Sequence, residues 1–136
     1  MPSPANYIRP GKRPLSSITP LIASHSNGRL FAIFGAAGGS RIITATVQNA
    51  VDILDRGLNA HEALERPRLH DQLIPNEVTL EWDYDNGTAG FLKERDHKVR
   101  WVPPGYSACQ AIRAFSDGGF EAAGDPRQSD SAGLVF

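Results

Sequence analysis

The order of elements in this sequence predicts an α/β protein of the layered α+β kind, a sandwich in which helices cover sheets. Three observations carry that expectation. Short apolar strands come first, two helices follow, and the rest is mostly strands, which disfavours a doubly wound parallel sheet. One long stretch, ending at Leu54, repeats apolar residues at helical spacing. Turn signals of the Asn-Gly and Asp-Gly-Gly kind divide the strand candidates into hairpins.

Taken in order, residues 1–14 carry Pro2, Pro4, Pro10, Pro14 and Gly11 with no apolar periodicity, so they read as an extended arm. Residues 15–136 read as one domain. Ile18 to Ala23 is a strand candidate, interrupted by Pro20 and so suited to an edge. Leu30 to Phe34 is a second. Ser26-Asn27-Gly28 between them is a strong hairpin signal.

Gly35-Ala36-Ala37-Gly38-Gly39-Ser40 then leads from strand to helix. Ile43, Val47, Ala50, Val51 and Leu54 fall on one face at a period near 3.6, with Ser40 as N-cap and Gly57 as the stop. A second helix starts at Asn59, with Glu62 at capping-box spacing, and ends before Pro67. Residues 68–77 read as a loop. Val78 to Trp82 is a strand. Asp85-Asn86-Gly87 reads as a turn before a helix from about Thr88 to Arg95. Val99 to Val102 is a strand, and Ala108 to Phe115 pairs with Phe120 to Ala123 about Asp117-Gly118-Gly119.

Composition narrows the function. The net charge of -1 lacks the basic surplus of a nucleic-acid binder, so none is expected as a partner. No apolar run reaches the roughly 18–20 residues that span a bilayer, so no membrane segment is expected. The polar, proline-rich start does not resemble a signal peptide. The single cysteine, Cys109, allows no internal disulfide and sits in an apolar stretch, as an inert buried thiol would. His25, His61, His70 and His97 lack metal-ligand spacing, and no metal or cofactor is expected.

Two places could hold chemistry. Gly38 and Gly39 let a backbone approach a ligand closely and precede a helix, whose free N–H groups favour an anion. Two such amides aimed at one point can hold an oxyanion. A tight turn with glycine for packing explains the same residues. Ser16-Ser17, after Lys12-Arg13, offers two hydroxyls that could share one carboxylate, or two ordinary turn serines. His70 beside Asp71 is either an acid–base pair or a loop hydrogen bond. His61-Glu62 belongs on the surface of its helix.

Together these segments resemble one family, the γ-glutamyltranspeptidases (glutathione hydrolases). Asn6-Tyr7-Ile8-Arg9-Pro10-Gly11-Lys12-Arg13-Pro14-Leu15-Ser16-Ser17 is very similar to its N-x-I-x-P-G-K-R-P-L-S-S run. Phe34 to Ile43 resembles its G-x-x-G-G-S-R-I segment, Pro67-Arg68-Leu69-His70-Asp71-Gln72 its P-R-x-H-x-Q loop, and Asp125-Pro126-Arg127 its D-P-R. The resemblance implies part of an αββα sandwich of the N-terminal-nucleophile hydrolase type, corresponding to the C-terminal part of the small subunit. It implies a threonine nucleophile freed by self-cleavage, which attacks the γ-glutamyl amide of glutathione and passes the acyl group to water, an amino acid or a peptide.

By the same resemblance, Ser16 and Ser17 hold the α-carboxylate of the γ-glutamyl group, and Gly38 and Gly39 form the oxyanion hole. The two donor sets must then lie within about 6–9 Å, one glutamyl length. The nucleophile matches no residue here: Thr19, Thr44, Thr46, Thr79 and Thr88 are all internal. It is expected upstream, with a large subunit and the remaining part of the small subunit as partners. The family also suggests a secretory, periplasmic or membrane-anchored setting through such an upstream part. Ile18 replaces the family's methionine, and Ala36-Ala37 its serine-proline, without removing a donor. The alternatives are a non-catalytic or decayed module that keeps the fold, and a generic anion-binding protein.

Overall fold

The computed structural model describes residues 3–136. Residues 3–20 carry one 3₁₀ turn, Pro4–Asn6, before the first strand. Four strands then make one antiparallel sheet in the order β1-β2-β6-β7: β1 (Leu21–Ser24), β2 (Leu30–Ala37), β6 (Ala108–Ala114) and β7 (Phe120–Gly124). Both expected hairpins form. β1 begins only after Pro20, which lacks the N–H that a ladder needs. β2 runs through Gly35 to Ala37, because β6 pairs with it as far as Ala37↔Ala108.

A second, three-stranded sheet has the order β3-β4-β5, made of β3 (Leu69–His70), β4 (Val78–Glu81) and β5 (Val99–Val102). β3 corrects the loop expected over 68–77. Two residues are too few to show an alternating pattern, and their pairing with Leu80 and Thr79 comes from the tertiary fold. β4 and β5 are parallel, joined through helix α3 (Asn86–Lys93). That helix starts two residues before the expected Thr88. The Asp85 carboxylate accepts the Thr88 N–H at 2.5 Å, so Asp85-Asn86-Gly87 is a cap and first turn, not a separate reverse turn.

Helix α1 (Arg41–Leu54) and helix α2 (Ala60–Glu65) cover one face of the four-stranded sheet. The α2 capping box is complete: the Asn59 side chain accepts from Glu62 N–H, and the Glu62 carboxylate accepts from Asn59 N–H. The apolar core joins Ala32 and Phe34 of β2, Cys109 and Ala111 of β6, Ala45, Ala50 and Ile53 of α1, and Ala60, Ala63 and Leu64 of α2.

α1 buries a different face from the one its sequence suggests. Ile43, Val47, Val51 and Leu54 are exposed, between 37% and 49%, and only Ala50 of the expected stripe is buried. The buried face is Ile42, Ala45, Thr46, Asn49, Ala50, Asp52 and Ile53. Small and polar side chains there let α1 sit close to the sheet, and Asp52 pairs with Arg56 and with Arg66 beyond α2. Ser40 occupies the N-cap position, but its side chain makes no cap hydrogen bond.

The outer face of the four-stranded sheet carries an apolar row. Ile22 lies opposite Ile33, Ile33 opposite Ile112, and Ile112 opposite Ala122. Ile22 is 68% exposed and Ile112 is also open. One helix layer, one sheet and an uncovered apolar sheet face make up part of a layered sandwich. No helix among the described residues is long and apolar enough to cross a membrane.

Candidate active site

The Gly38-Gly39 turn joins β2 to α1. Gly38 has φ 137° and Gly39 φ 60°, both in the left-handed half of the map where glycine is favoured. Their carbonyls accept from the first helical amides, Arg41 N–H to Gly38 at 3.1 Å and Ile42 N–H to Gly39 at 3.2 Å. Among the described residues, no protein acceptor takes the Gly38 or Gly39 N–H. Both residues are exposed. Two unspent amides at a helix N-terminus can receive an anion.

The two glycines differ in what surrounds them. A side chain on Gly39 would meet nothing within 4 Å. A Cβ on Gly38 would stand 2.7 Å from the Tyr106 carbonyl oxygen and 2.9 Å from Ser107 Cα. Glycine at 38 is therefore required for close packing as well as for backbone conformation. The packing and functional explanations of this turn are not exclusive.

The Tyr106-Ser107 backing is itself held. The Arg41 guanidinium lies 4.6 Å from the centre of the Tyr106 ring. Buried Arg68 donates through Nη1 to the Ser107 carbonyl at 3.0 Å and through Nη2 to the Leu64 carbonyl at 3.0 Å. Its Nη2 also pairs with Asp125 at 2.7 Å, and Arg127 pairs with Glu81 at 2.6 Å and with Asp125 at 3.3 Å. Asp125 accepts the Cys109 N–H at 2.7 Å as well. Burial pushes the Asp125 carboxyl up, but the Arg127 N–H, the Arg68 charge and the Cys109 N–H prevail and hold it below the usual 3.8. Asp125-Pro126-Arg127 thus ties the end of the β6–β7 hairpin to the three-stranded sheet. Sequence reading missed this role, because the four charges are spread over positions 68–127.

Ser16 and Ser17 lie just before β1. Ser16 Oγ accepts the Ile18 N–H at 3.1 Å, which is a local turn bond. Ser17 is half-buried and, among the described residues, its hydroxyl has no protein partner. β1 and β2 are antiparallel neighbours, so the residues before β1 and those after β2 leave the sheet at the same end. A small cavity lined by Arg41, Thr44, Arg68, His70, Thr79 and Ser107 among others includes none of the four residues.

His70 is buried in β3 and does not pair with Asp71. Its Nδ1 lies 2.8 Å from Thr44 Oγ1 and its Nε2 lies 2.9 Å from Gln72 Oε1. Asp71 instead accepts the Leu73 N–H. His61 is exposed and pairs with Glu65 at 3.1 Å. Cys109 is fully buried, and desolvation pushes its thiol up from the usual 9.0, as suits an inert group. No cluster of metal-ligating side chains occurs among the described residues.

The two sheets and their helices make a mixed α/β protein, and the solved structures it resembles place it in the N-terminal-nucleophile hydrolase fold. The chain belongs to the gamma-glutamyltranspeptidase family, whose model matches residues 1–135. It is 51% identical over 134 residues to a glutathione hydrolase of Aspergillus flavus, and 38% identical over 126 residues to the glutathione hydrolase proenzyme of Escherichia coli. These alignments cover 98% and 93% of the chain but only 23% and 21% of the relatives. The chain thus spans less than a quarter of their length. The solved gamma-glutamyltranspeptidase of Helicobacter pylori superposes with a TM-score of 0.81 at 32% identity, over 93% of this chain and 69% of that one. The transpeptidase CapD of Bacillus anthracis, at 19% identity and a TM-score of 0.74 over 93% of this chain and 74% of that one, shares the fold.

Proposed function

We propose that these residues form half of a γ-glutamyl acyl-transfer site. The Gly38 and Gly39 amides stabilise the oxyanion, and the Ser16 and Ser17 hydroxyls hold the substrate α-carboxylate. The observation that carries this reading is the β1–β2 register. Leu21 faces Phe34, and Ile22 faces Ile33. That ladder ends at Leu21 and Phe34, so the segment carrying Ser16-Ser17 and the turn carrying Gly38-Gly39 leave adjacent strands at the same end of the sheet. Donor sets that leave neighbouring strands at one sheet end suit the two ends of one γ-glutamyl group.

In this reaction a threonine outside these residues adds its hydroxyl oxygen to the γ-carbonyl carbon. The carbonyl oxygen takes up negative charge, which two preorganised amides stabilise in a site that need not reorganise. The amide C–N bond then breaks, and the hydroxyl proton passes through the threonine amine to the leaving amine. Water or an acceptor amine attacks the resulting ester and frees the threonine. The uncovered Ile22–Ile33–Ile112 row supports the same reading, since a further sheet of the sandwich would bury it. Glutathione is the substrate that the family resemblance favours.

The test is hydrolysis of a γ-glutamyl anilide by the 136-residue polypeptide, with and without the upstream polypeptide supplied. The expected result is no turnover without it and turnover with it. Turnover by the polypeptide alone overturns the division of labour. Inactivity of the correctly folded combination supports the non-catalytic module instead.

A further inference from the structure

The Pro67-to-Gln72 segment makes no contact with substrate in the reading above, yet three of its side chains converge on the glycine turn. Arg68, His70 and Gln72 alternate along the chain and so point to one side of an extended segment. Arg68 holds the Ser107 carbonyl, and Ser107 is what Gly38 packs against. His70 meets Thr44 on the first turns of α1. Gln72 Oε1 accepts the Ser40 hydroxyl at 2.5 Å across 32 residues of sequence. Ser40 is the residue after Gly39; its backbone is already helical, φ −62° and ψ −20°, and its hydroxyl turns to Gln72 and makes no cap bond.

The segment is also fixed along its length. The Gln48 side chain of α1 donates to the Leu69 carbonyl at 2.7 Å and accepts the Leu69 N–H at 2.9 Å. Gln72 Nε2 donates to the Ile74 carbonyl at 2.8 Å, which turns Oε1 toward both Ser40 and His70. Since that oxygen only accepts, the His70 ring carries a proton on Nε2. The chain Ser40–Gln72–His70–Thr44 therefore closes a loop of hydrogen bonds from the turn back to its own helix.

We propose that Arg68, His70 and Gln72 are positioning residues that hold the Gly38–Ser40 turn so that its two free amides keep a common aim. Arg68 acts from beneath through Ser107, and Gln72 acts from the open side through Ser40. The inference rests on the oxyanion reading of the turn. Two glycines at positive φ are intrinsically permissive, so their orientation must come from outside the turn. A small loss of aim at a reacting centre costs rate and not ground-state binding.

The test is a double-mutant cycle on Ser40→Ala and Gln72→Ala, made in the chain together with its upstream polypeptide. Each single change is expected to lower kcat about tenfold with KM within about twofold, and the double change to cost no more than either. Ser40→Thr, which keeps the hydroxyl, should restore most of the rate. Hydrogen exchange at Arg41 and Ile42, whose amides bond the Gly38 and Gly39 carbonyls, followed by mass spectrometry on the same proteins, should quicken equally in both singles and in the double. Multiplicative losses near a hundredfold, an effect confined to KM, or unchanged exchange overturns the proposal. The exchange arm needs no turnover, so it decides the brace even if the acyl-transfer reading fails.

Discussion

Two glycine pairs in this chain look alike in sequence and live in different surroundings. Gly38-Gly39 joins β2 to α1, and Gly118-Gly119 joins β6 to β7. The second pair is held by its neighbours. Phe115 N–H bonds the Gly119 carbonyl at 2.8 Å, Gly118 N–H the Phe115 carbonyl at 3.2 Å, and Gly119 N–H the Asp117 carboxylate at 2.9 Å. The first pair is held by Tyr106, Ser107 and, through Ser40, by Gln72, all distant in sequence. The hairpin turn spends its amides on itself, while the β2–α1 turn leaves its amides free. A turn held from outside can present donors to a ligand, and a self-satisfied one cannot.

The largest expected effect comes from removing the support under the first turn. Arg68→Met leaves Asp125 buried without its main partner and takes away the donor to Ser107. It should destabilise the fold by about 3–5 kcal/mol, read as a fall in the chemical-unfolding midpoint, and should speed exchange at Arg41 and Ile42 before that at Phe115 and Gly118. Equal loosening of both turns would erase the distinction drawn here.

Gly38→Ala comes next. Its Cβ meets main-chain atoms that cannot swing away, at a φ that side chains rarely adopt. A cost of roughly 2–4 kcal/mol is expected. Gly118→Ala, with nothing within 4 Å, should cost only about 1–2 kcal/mol for its positive φ. A thermal-melt comparison of the two variants checks the difference, and equal shifts would count against it.

Gly39→Ala should cost about 1–2 kcal/mol of stability, since its surroundings are open. In an active enzyme it should lower kcat far more than that mild destabilisation implies if, as proposed, its amide meets the oxyanion. Gly39 is thus a cleaner probe of function than Gly38, whose replacement strains the packing too. An alanine at 39 that left kcat untouched would remove it from the site.

The smallest effect concerns acid. The Asp125 carboxyl is held below its usual 3.8, so the folded state binds its proton less readily than the unfolded chain. The stability it lends is complete above that value and drains away as pH falls through the lower folded value. Protection of the Cys109 amide, its exchange rate relative to that of a free amide at the same pH, should therefore fall on acidification in that window. Flat protection there would mean that the carboxylate is not coupled to folding.

Much was legible in residue order alone. The hairpin about Ser26-Asn27-Gly28, the capping box at Asn59 and Glu62 and the hairpin about Asp117-Gly118-Gly119 all rest on bonds between near neighbours. Local chemistry suffices there because turn residues and caps act within four or five positions. The Gly38-Gly39 turn stood out for the same reason, as glycine at the head of a helix carries its own signal.

Other features needed the folded chain. Periodicity showed that α1 is amphipathic, but contact with β2 and β6 decided that Ala45, Asn49 and Ile53 face inward while Val47 and Val51 face out. β3 exists only because β4 offers it a ladder. Arg68, Asp125, Glu81 and Arg127 become one network because two sheets meet where those positions converge. The sequence by itself determined every strand and α-helix but β3, the turns and the family motifs, since these show in short-range pattern. The tertiary structure alone decided which helix face is buried, which glycine cannot change and what holds the turn, since those depend on which distant residues pack together.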